Sequence, residues 1–232
     1  MINDFFEEAL FSGAALTLLA YELGLLLKRR FRSAIFNPIL IAVICVIALL
    51  KLLNIEYSSY ESGAKYISYL LTPATVCLAL PLYEELKLLK DNLAAVACGI
   101  LSGILSGMAG VFLLCKIFRL SHTQYVTLLP KSVTTAIGMG ISEELGGTVT
   151  ITVAVIIITG IFGNIFADFI FSALKIKEPV AKGIALGTCS HAIGTARAME
   201  LGEAEGAMSS LAIAVAGMLT VVLAPIFSGL PL

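Results

Sequence analysis

The sequence predicts an all-α integral membrane protein, and three observations carry that prediction. Hydrophobic residues make up 59% of the 232 residues and charged ones only 13%, where an ordinary soluble domain has roughly 25% charged. Mean hydropathy is +0.99. Apolar runs of about 20 residues, enough to cross a bilayer as helix, recur along the chain. Several runs are broken by proline, glycine and polar groups, which a membrane tolerates only where the backbone is buried in protein or lines a cavity. The expected architecture is about seven to eight membrane elements in two repeats, with interrupted or re-entrant helices meeting near the midplane.

The elements follow in order. Residues 9–27 form a first apolar run, interrupted by Glu22 and closed by the basic cluster Lys28-Arg29-Arg30-Phe31-Arg32. The acidic opening Asn3-Asp4-Phe5-Phe6-Glu7-Glu8 does not read as a cleavable signal, so this run is expected to stay as a span. Residues 35–53 are the second span, opened by Asn37-Pro38. Residues 54–65, polar and rich in Tyr and Ser, read as a surface loop. Residues 66–83 are cut by Thr72-Pro73-Ala74-Thr75 and by Pro81, since proline removes an amide donor and clashes with the preceding turn. A charged loop, 84–91, leads to the span 92–115, whose Gly99, Gly103 and Gly107 allow close helix packing.

Residues 124–145 form a second interrupted element around Pro130 and Lys131. The apolar span 148–171 contains Asn164 and Asp168, one helical turn apart and so on one face. The basic loop 175–182 precedes the third interrupted element, 181–206, and residues 207–227 form the last span. Lys and Arg in loops 28–32, 87–90 and 175–182 fall on one side if 124–145 is re-entrant, which places the N-terminus outside and the C-terminus inside. The chain is taken as one transmembrane domain, 1–232, with internal repeats expected over 1–118 and 119–232. Thr135-Ala136-x-x-Met139 recurs as Thr195-Ala196-x-x-Met199, and Glu84-Glu85-Leu86 as Glu143-Glu144-Leu145.

Composition also excludes functions. Net charge is −1, which argues against nucleic-acid binding. The five cysteines, Cys45, Cys77, Cys98, Cys115 and Cys189, include no CxxC pair, so neither a disulfide framework nor a metal site is expected. No cofactor motif and no enzyme motif (GxSxG, HExxH, phosphate loop) is present, and Ser190-His191 are sequence neighbours rather than a nucleophile–base pair. The protein is therefore not expected to be an enzyme.

Polar chemistry concentrates in two stretches. In Pro130-Lys131-Ser132-Val133-Thr134-Thr135 the proline suits the first turn of a helix, whose free amides and positive dipole end would lie beside Lys131 and the hydroxyls. In residues 187–200, Gly187 and Gly194 can break the helix, and Ser190, His191 and Thr195 would line the break with Arg197 following. Lysine, arginine, helix amides and hydroxyls together suit a small carboxylate anion. Thr72, Thr75, Ser132, Thr134, Thr135, Ser190, Gly194 and Thr195 would orient it, with His191 and Asp168 as ion-coupling candidates. Plainer readings stand beside these. Arg197 can pair with Glu200 or Glu203, Lys131 can snorkel to an interface, His191 can be a packing residue, and Asp168 a partner of Asn164.

Asn37-Pro38, Thr72-Pro73-Ala74-Thr75-Val76, Pro81-Leu82-Tyr83, Leu129-Pro130-Lys131-Ser132-Val133-Thr134-Thr135, Ser190-His191-Ala192-x-Gly194-Thr195-Ala196 and Glu205-Gly206-Ala207-x-Ser209-Ser210-Leu211 resemble the LrgB/CidB family from about residue 35 to 228. Ala136 departs from the pattern, which commonly has proline there, so a milder break is expected at 130–140. The resemblance implies a multi-pass cell-membrane protein linked to control of autolysis and murein hydrolase export. It also implies a holin-like LrgA/CidA-type membrane partner, and a homo-oligomer is expected. Plant relatives in which the two parts are fused resemble glycolate/glycerate transporters, and some bacterial members are linked to pyruvate. A transporter of small 2-hydroxy or 2-keto carboxylates, coupled to protons or another ion, is the expected function; a non-transporting antiholin-like subunit is the alternative.

Overall fold

The structure, a computed structural model, describes residues 9–31, 36–70, 73, 76–77 and 79–232. The described residues contain helices and no strand, and the chain divides into two compact units, Met1–Cys77 and Leu78–Leu232.

The first unit holds α1 (Ser12–Phe31), α2 (Pro38–Leu52) and α3 (Tyr57–Ser68). Asn37 starts α2 by accepting hydrogen bonds from the Ile39 and Leu40 amides at 2.9 and 3.2 Å, with Pro38 pre-set for the first turn. Helix α1 meets α2 at Gly24, where a Cβ would lie 2.7 Å from the Pro38 carbonyl oxygen. It meets α3 at Gly13, and the Thr17 and Tyr60 hydroxyls bond at 2.7 Å. The polar stretch expected as a loop is thus largely helix. Its Ser59 and Gly63 are buried, and that one small-residue face against α1 is enough to hold it helical.

The second unit holds α4 (Ala79–Glu84), α5 (Leu86–Asp91), α6 (Leu93–Ile117), α7 (His122–Leu128), α8 (Thr135–Glu144), α9 (Val149–Ala173), α10 (Pro179–Leu201) and α11 (Glu203–Ser228). Among the described residues, three helices, α6, α9 and α11, are long and apolar enough to cross a membrane, and α2 is a shorter apolar helix. Their large apolar side chains point outward: Leu101 and Leu114 on α6, Phe162 and Phe169 on α9, Val222 and Ile226 on α11. The inward faces of α6 and α11 carry Val96, Ile100, Ile104 and Met108 against Ala207, Met208 and Ala212. A soluble protein would not leave such continuous apolar faces in water; this is a membrane protein.

Between the long helices the chain doubles back twice. Helices α7 and α8 form one hairpin, with residues 129–134 at its tip. Thr127 from one limb and Ser142 from the other bond the same Thr152 hydroxyl, at 2.9 and 2.7 Å. Two residues fifteen apart in a continuous helix would lie about 22 Å apart, so the limbs are folded against each other. Helix α10 is the second hairpin. Its reversal occurs at His191, whose φ/ψ of 42°/−135° is non-helical. Beyond it, a Cβ on Gly194 would collide with the Leu186 carbonyl, which only a folded-back limb can bring near.

The contacts also fix directions. Gly99 and Gly103 of α6 face Ile184 and Thr188, so α6 and the first limb of α10 run parallel. Gly183 and Gly187 face Glu205 and Ser209, so α11 runs parallel to that limb as well. On α9, by contrast, Gly163 faces Ser190, Asn164 donates to the Ile193 carbonyl and Asp168 pairs with Arg197. The second limb therefore runs back along α9. Hairpin one enters from the end where α6 stops and α9 starts, and hairpin two from the opposite end. Each follows a helix of 25 residues.

Candidate functional site

The two tips meet beside the midpoints of the long helices. A cavity of about 20 Å³ is lined by Gly103 and Gly107 of α6, Lys131 and Ser132 of hairpin one, Thr188 of hairpin two and Thr220 of α11. Pro130 at the first tip is fully buried. The tip closes with local backbone bonds, from the Lys131 amide to the Leu128 carbonyl (3.2 Å) and from Val133 to Pro130 (3.3 Å). Helix α8 then begins at Thr135. Its cap residue, Thr134, has extended backbone and makes no side-chain capping bond, so among the described residues no cap side chain meets the first-turn amides, and the positive end of the helix faces the tip.

Lys131 is half-buried, and its ammonium donates to the Ser132 hydroxyl at 2.9 Å. Among the described residues, ion pairs link Lys182 to Glu205 and Arg197 to Asp168 and Glu200, and none includes Lys131. An uncompensated ammonium at depth costs several kcal/mol, order-of-magnitude, and invites an anion.

At the second tip His191 is buried and its Nε2 donates to the Ile156 carbonyl at 2.9 Å. Thr195 donates to the His191 carbonyl at 3.0 Å. That uses its one proton, so Ser209 donates to Thr195 across 2.8 Å. These bonds lock the reversal and tie it to α11. Ser190 packs into the notch left by Gly163, where a Cβ would overlap the serine hydroxyl.

Lys131, Ser132, Thr134, Thr135, Ser190, His191, Gly194 and Thr195 lie in or beside the two tips, and of these Lys131 and Ser132 line the cavity. Three particulars differ from the sequence expectation. The break in α10 falls at His191 and not at Gly187 or Gly194. Those glycines are helical, and a Cβ there would strike the Ser209 or the Leu186 carbonyl, so they serve close packing. Pro130 lies within the tip rather than opening α8, and the reversal over 129–134 is complete despite Ala136, not mild. Arg197 lies away from the cavity on the outer part of hairpin two, donating to Asp168 and, at 2.6 Å, to Glu200. Its two terminal nitrogens, Nη1 and Nη2, serve Glu200 and Asp168 respectively. Thr72 and Thr75 lie outside the described residues.

Sequence reasoning missed Gly103, Gly107, Thr188 and Thr220. The glycines were legible as a packing stripe, but Gly107 has nothing within 4 Å of a built Cβ and lines the cavity instead. Thr188 stands only three residues before His191, which was the signal available.

Comparison with known proteins agrees with this frame. Residues 17–230 match the LrgB-like family. The chain is 36% identical to the holin-like protein CidB of Staphylococcus aureus over 225 residues, 97% of each chain. It is also 36% identical over 225 residues to the CidB of Staphylococcus epidermidis, again 97% of each. Against the antiholin-like protein LrgB of Bacillus cereus it is 36% identical over 216 residues, 93% of this chain and 94% of that one. No solved structure matches. The chain belongs to the LrgB family.

Proposed function

We propose that the chain is a transporter of small 2-hydroxy or 2-keto carboxylates across the cell membrane. The observation that carries the reading is Lys131: a cation with no carboxylate partner among the described residues, at the meeting point of two oppositely directed hairpins and beside the start of α8. On this reading α6, α9 and α11 cross the bilayer and the hairpins are re-entrant elements whose tips meet near its midplane. Discontinuous helices with their positive ends at mid-depth are how many secondary transporters hold anionic groups. The cavity, at about 20 Å³, has room for one water-sized group, so substrate entry widens it. His191 is the coupling candidate, and Lys131 binds the carboxylate with Ser132 and the α8 amides.

The repeat on this reading is inverted and narrower than the two halves of the sequence. It pairs residues 93–144 with 149–201 and sets Lys131 opposite His191. Lys87, Lys90, Lys175, Lys177 and Lys182 gather at the end where hairpin two enters, which assigns that end to the cytoplasm. The C-terminus then lies outside, the reverse of the sequence expectation, because α10 returns to the side it came from.

Uptake tests this directly. Purified protein in liposomes, offered labelled pyruvate, glycolate or glycerate, takes the anion up saturably. Lys131→Ala lowers that uptake about 30-fold or more, the loss expected for one partner of a buried charge contact. Absence of uptake by the parent chain, with and without a partner subunit, sinks the reading.

A second reading rests on the relatives' names, holin-like and antiholin-like: a subunit that binds a holin-like membrane partner, modulates murein hydrolase export and transports nothing. Lys131→Ala would then leave partner capture unchanged.

A further inference from the structure

An open groove of about 560 Å³ runs between α6 and the first limb of α10. Its mouth carries Asn92 and Glu178, at the end where hairpin two enters. Its wall carries Ser102 and Ser106, and its floor Thr188 and Cys189. Gly103 and Thr188 line both this groove and the 20 Å³ cavity that holds Lys131. The two spaces are therefore neighbours, separated where α6 touches α10: a Cβ on Gly103 would lie 3.0 Å from the Thr188 hydroxyl.

The character of α6 changes around its circumference. Leu101 and Leu105 are exposed on its outer face, as lipid requires. The groove side carries Gly99, Ser102, Gly103 and Ser106 instead. Ser102 and Ser106 spend their protons on the carbonyls three residues back, at 3.0 and 3.1 Å, and keep acceptor lone pairs for water. The concavity comes from the lack of side chains at Gly99 and Gly103 and from Ala95, Ala181 and Ala185. A volume of this size fits a small molecule with its water.

We propose that this groove is the water-filled path by which a small carboxylate reaches Lys131, open at the Asn92–Glu178 end and closed at the Gly103–Thr188 contact. The proposal rests on the transport reading above. It makes the described conformation one with access from the hairpin-two end, and it makes Gly103 and Thr188 the inner gate. Thr188 donates to the Ile184 carbonyl at 2.7 Å, so its methyl and hydroxyl are held across the gap rather than swinging free.

The test is thiol accessibility in sealed vesicles, using the membrane-impermeant anion methanethiosulfonate ethylsulfonate. In the full chain with all five cysteines replaced, Ser102→Cys and Ser106→Cys should react at least tenfold faster than Leu101→Cys and Leu105→Cys, and only from the hairpin-two end. A chain keeping Cys189 as its sole thiol tests the floor with no new side chain, and saturating pyruvate should slow its modification several-fold. Equal, slow reaction at groove and lipid-facing positions would overturn the path, as would reaction from the other end. Uptake measured on the same vesicles separates the two claims. Uptake with slow labelling discards the path alone, whereas fast labelling without uptake in the parent chain discards carboxylate transport and leaves a water-filled groove.

Discussion

Hairpins one and two do the same geometrical task by different means. Hairpin one reverses over six residues, 129–134, around a buried proline, and its limbs are joined through one hydroxyl, Thr152. Hairpin two reverses at a single residue, His191, in a left-handed conformation that a non-glycine side chain seldom adopts. Its limbs are held by glycine-to-backbone contacts at 187 and 194 and by the Thr195–Ser209 bond. The first tip presents its cation to the cavity, whereas the second satisfies its ring nitrogen on the Ile156 carbonyl. The difference teaches that the strained tip needs rigid packing to persist. The longer tip leaves its lysine facing the cavity, with no carboxylate paired to it among the described residues.

Three substitutions sharpen this comparison. The largest effect is expected at Gly163→Val. The new side chain would occupy the space of the Ser190 hydroxyl, and overpacking of this kind destabilises by about 1–3 kcal/mol or more. A fall in thermal stability in detergent checks it, and Gly107→Ala, with nothing within 4 Å of its Cβ, should be silent. If Gly163→Val is silent too, hairpin two is not held by packing. Next, Thr152→Val removes the hydroxyl shared by Thr127 and Ser142 at an unchanged shape. It should cost about 1–3 kcal/mol, and Thr152→Ser should restore most of it. Equal stability of the Val and Ser variants would show that the hydroxyl is not what joins the limbs of hairpin one. The smallest change is expected for Arg197→Ala. Asp168 and Glu200 are about half exposed, at 56% and 48%, and such pairs contribute about 0.2–1 kcal/mol. Uptake should persist in that variant, in contrast to Lys131→Ala. Uptake abolished by Arg197→Ala with stability intact would return Arg197 to the binding site.

Much of the site was legible because chemistry in lipid is conspicuous. Pro130-Lys131-Ser132 and Ser190-His191 stand out against apolar flanks, and both turned out to be tips. Arg197 stands out just as strongly, yet it marks the outer end of hairpin two. Hydropathy does not distinguish a cation at a hairpin tip from one held by two carboxylates near a helix end. Gly103 and Thr188 were illegible for the opposite reason: small residues carry no chemical signal until a neighbour is known. The polar segment 57–68 misled because its helical face is narrow, just Ser59 and Gly63 buried.

By itself, the sequence determined that this is a helical membrane protein with broken elements, and which polar residues sit at the breaks. Composition, run length and breaker residues act locally, so they survive without coordinates. Only the tertiary structure decided that α10 doubles back at His191, that the two tips meet, and that among the described residues Arg197 pairs with carboxylates while Lys131 does not. Reversal and charge pairing depend on contacts such as Gly194–Leu186, Gly163–Ser190 and Arg197–Asp168. Each joins residues that the one-dimensional pattern treats as independent.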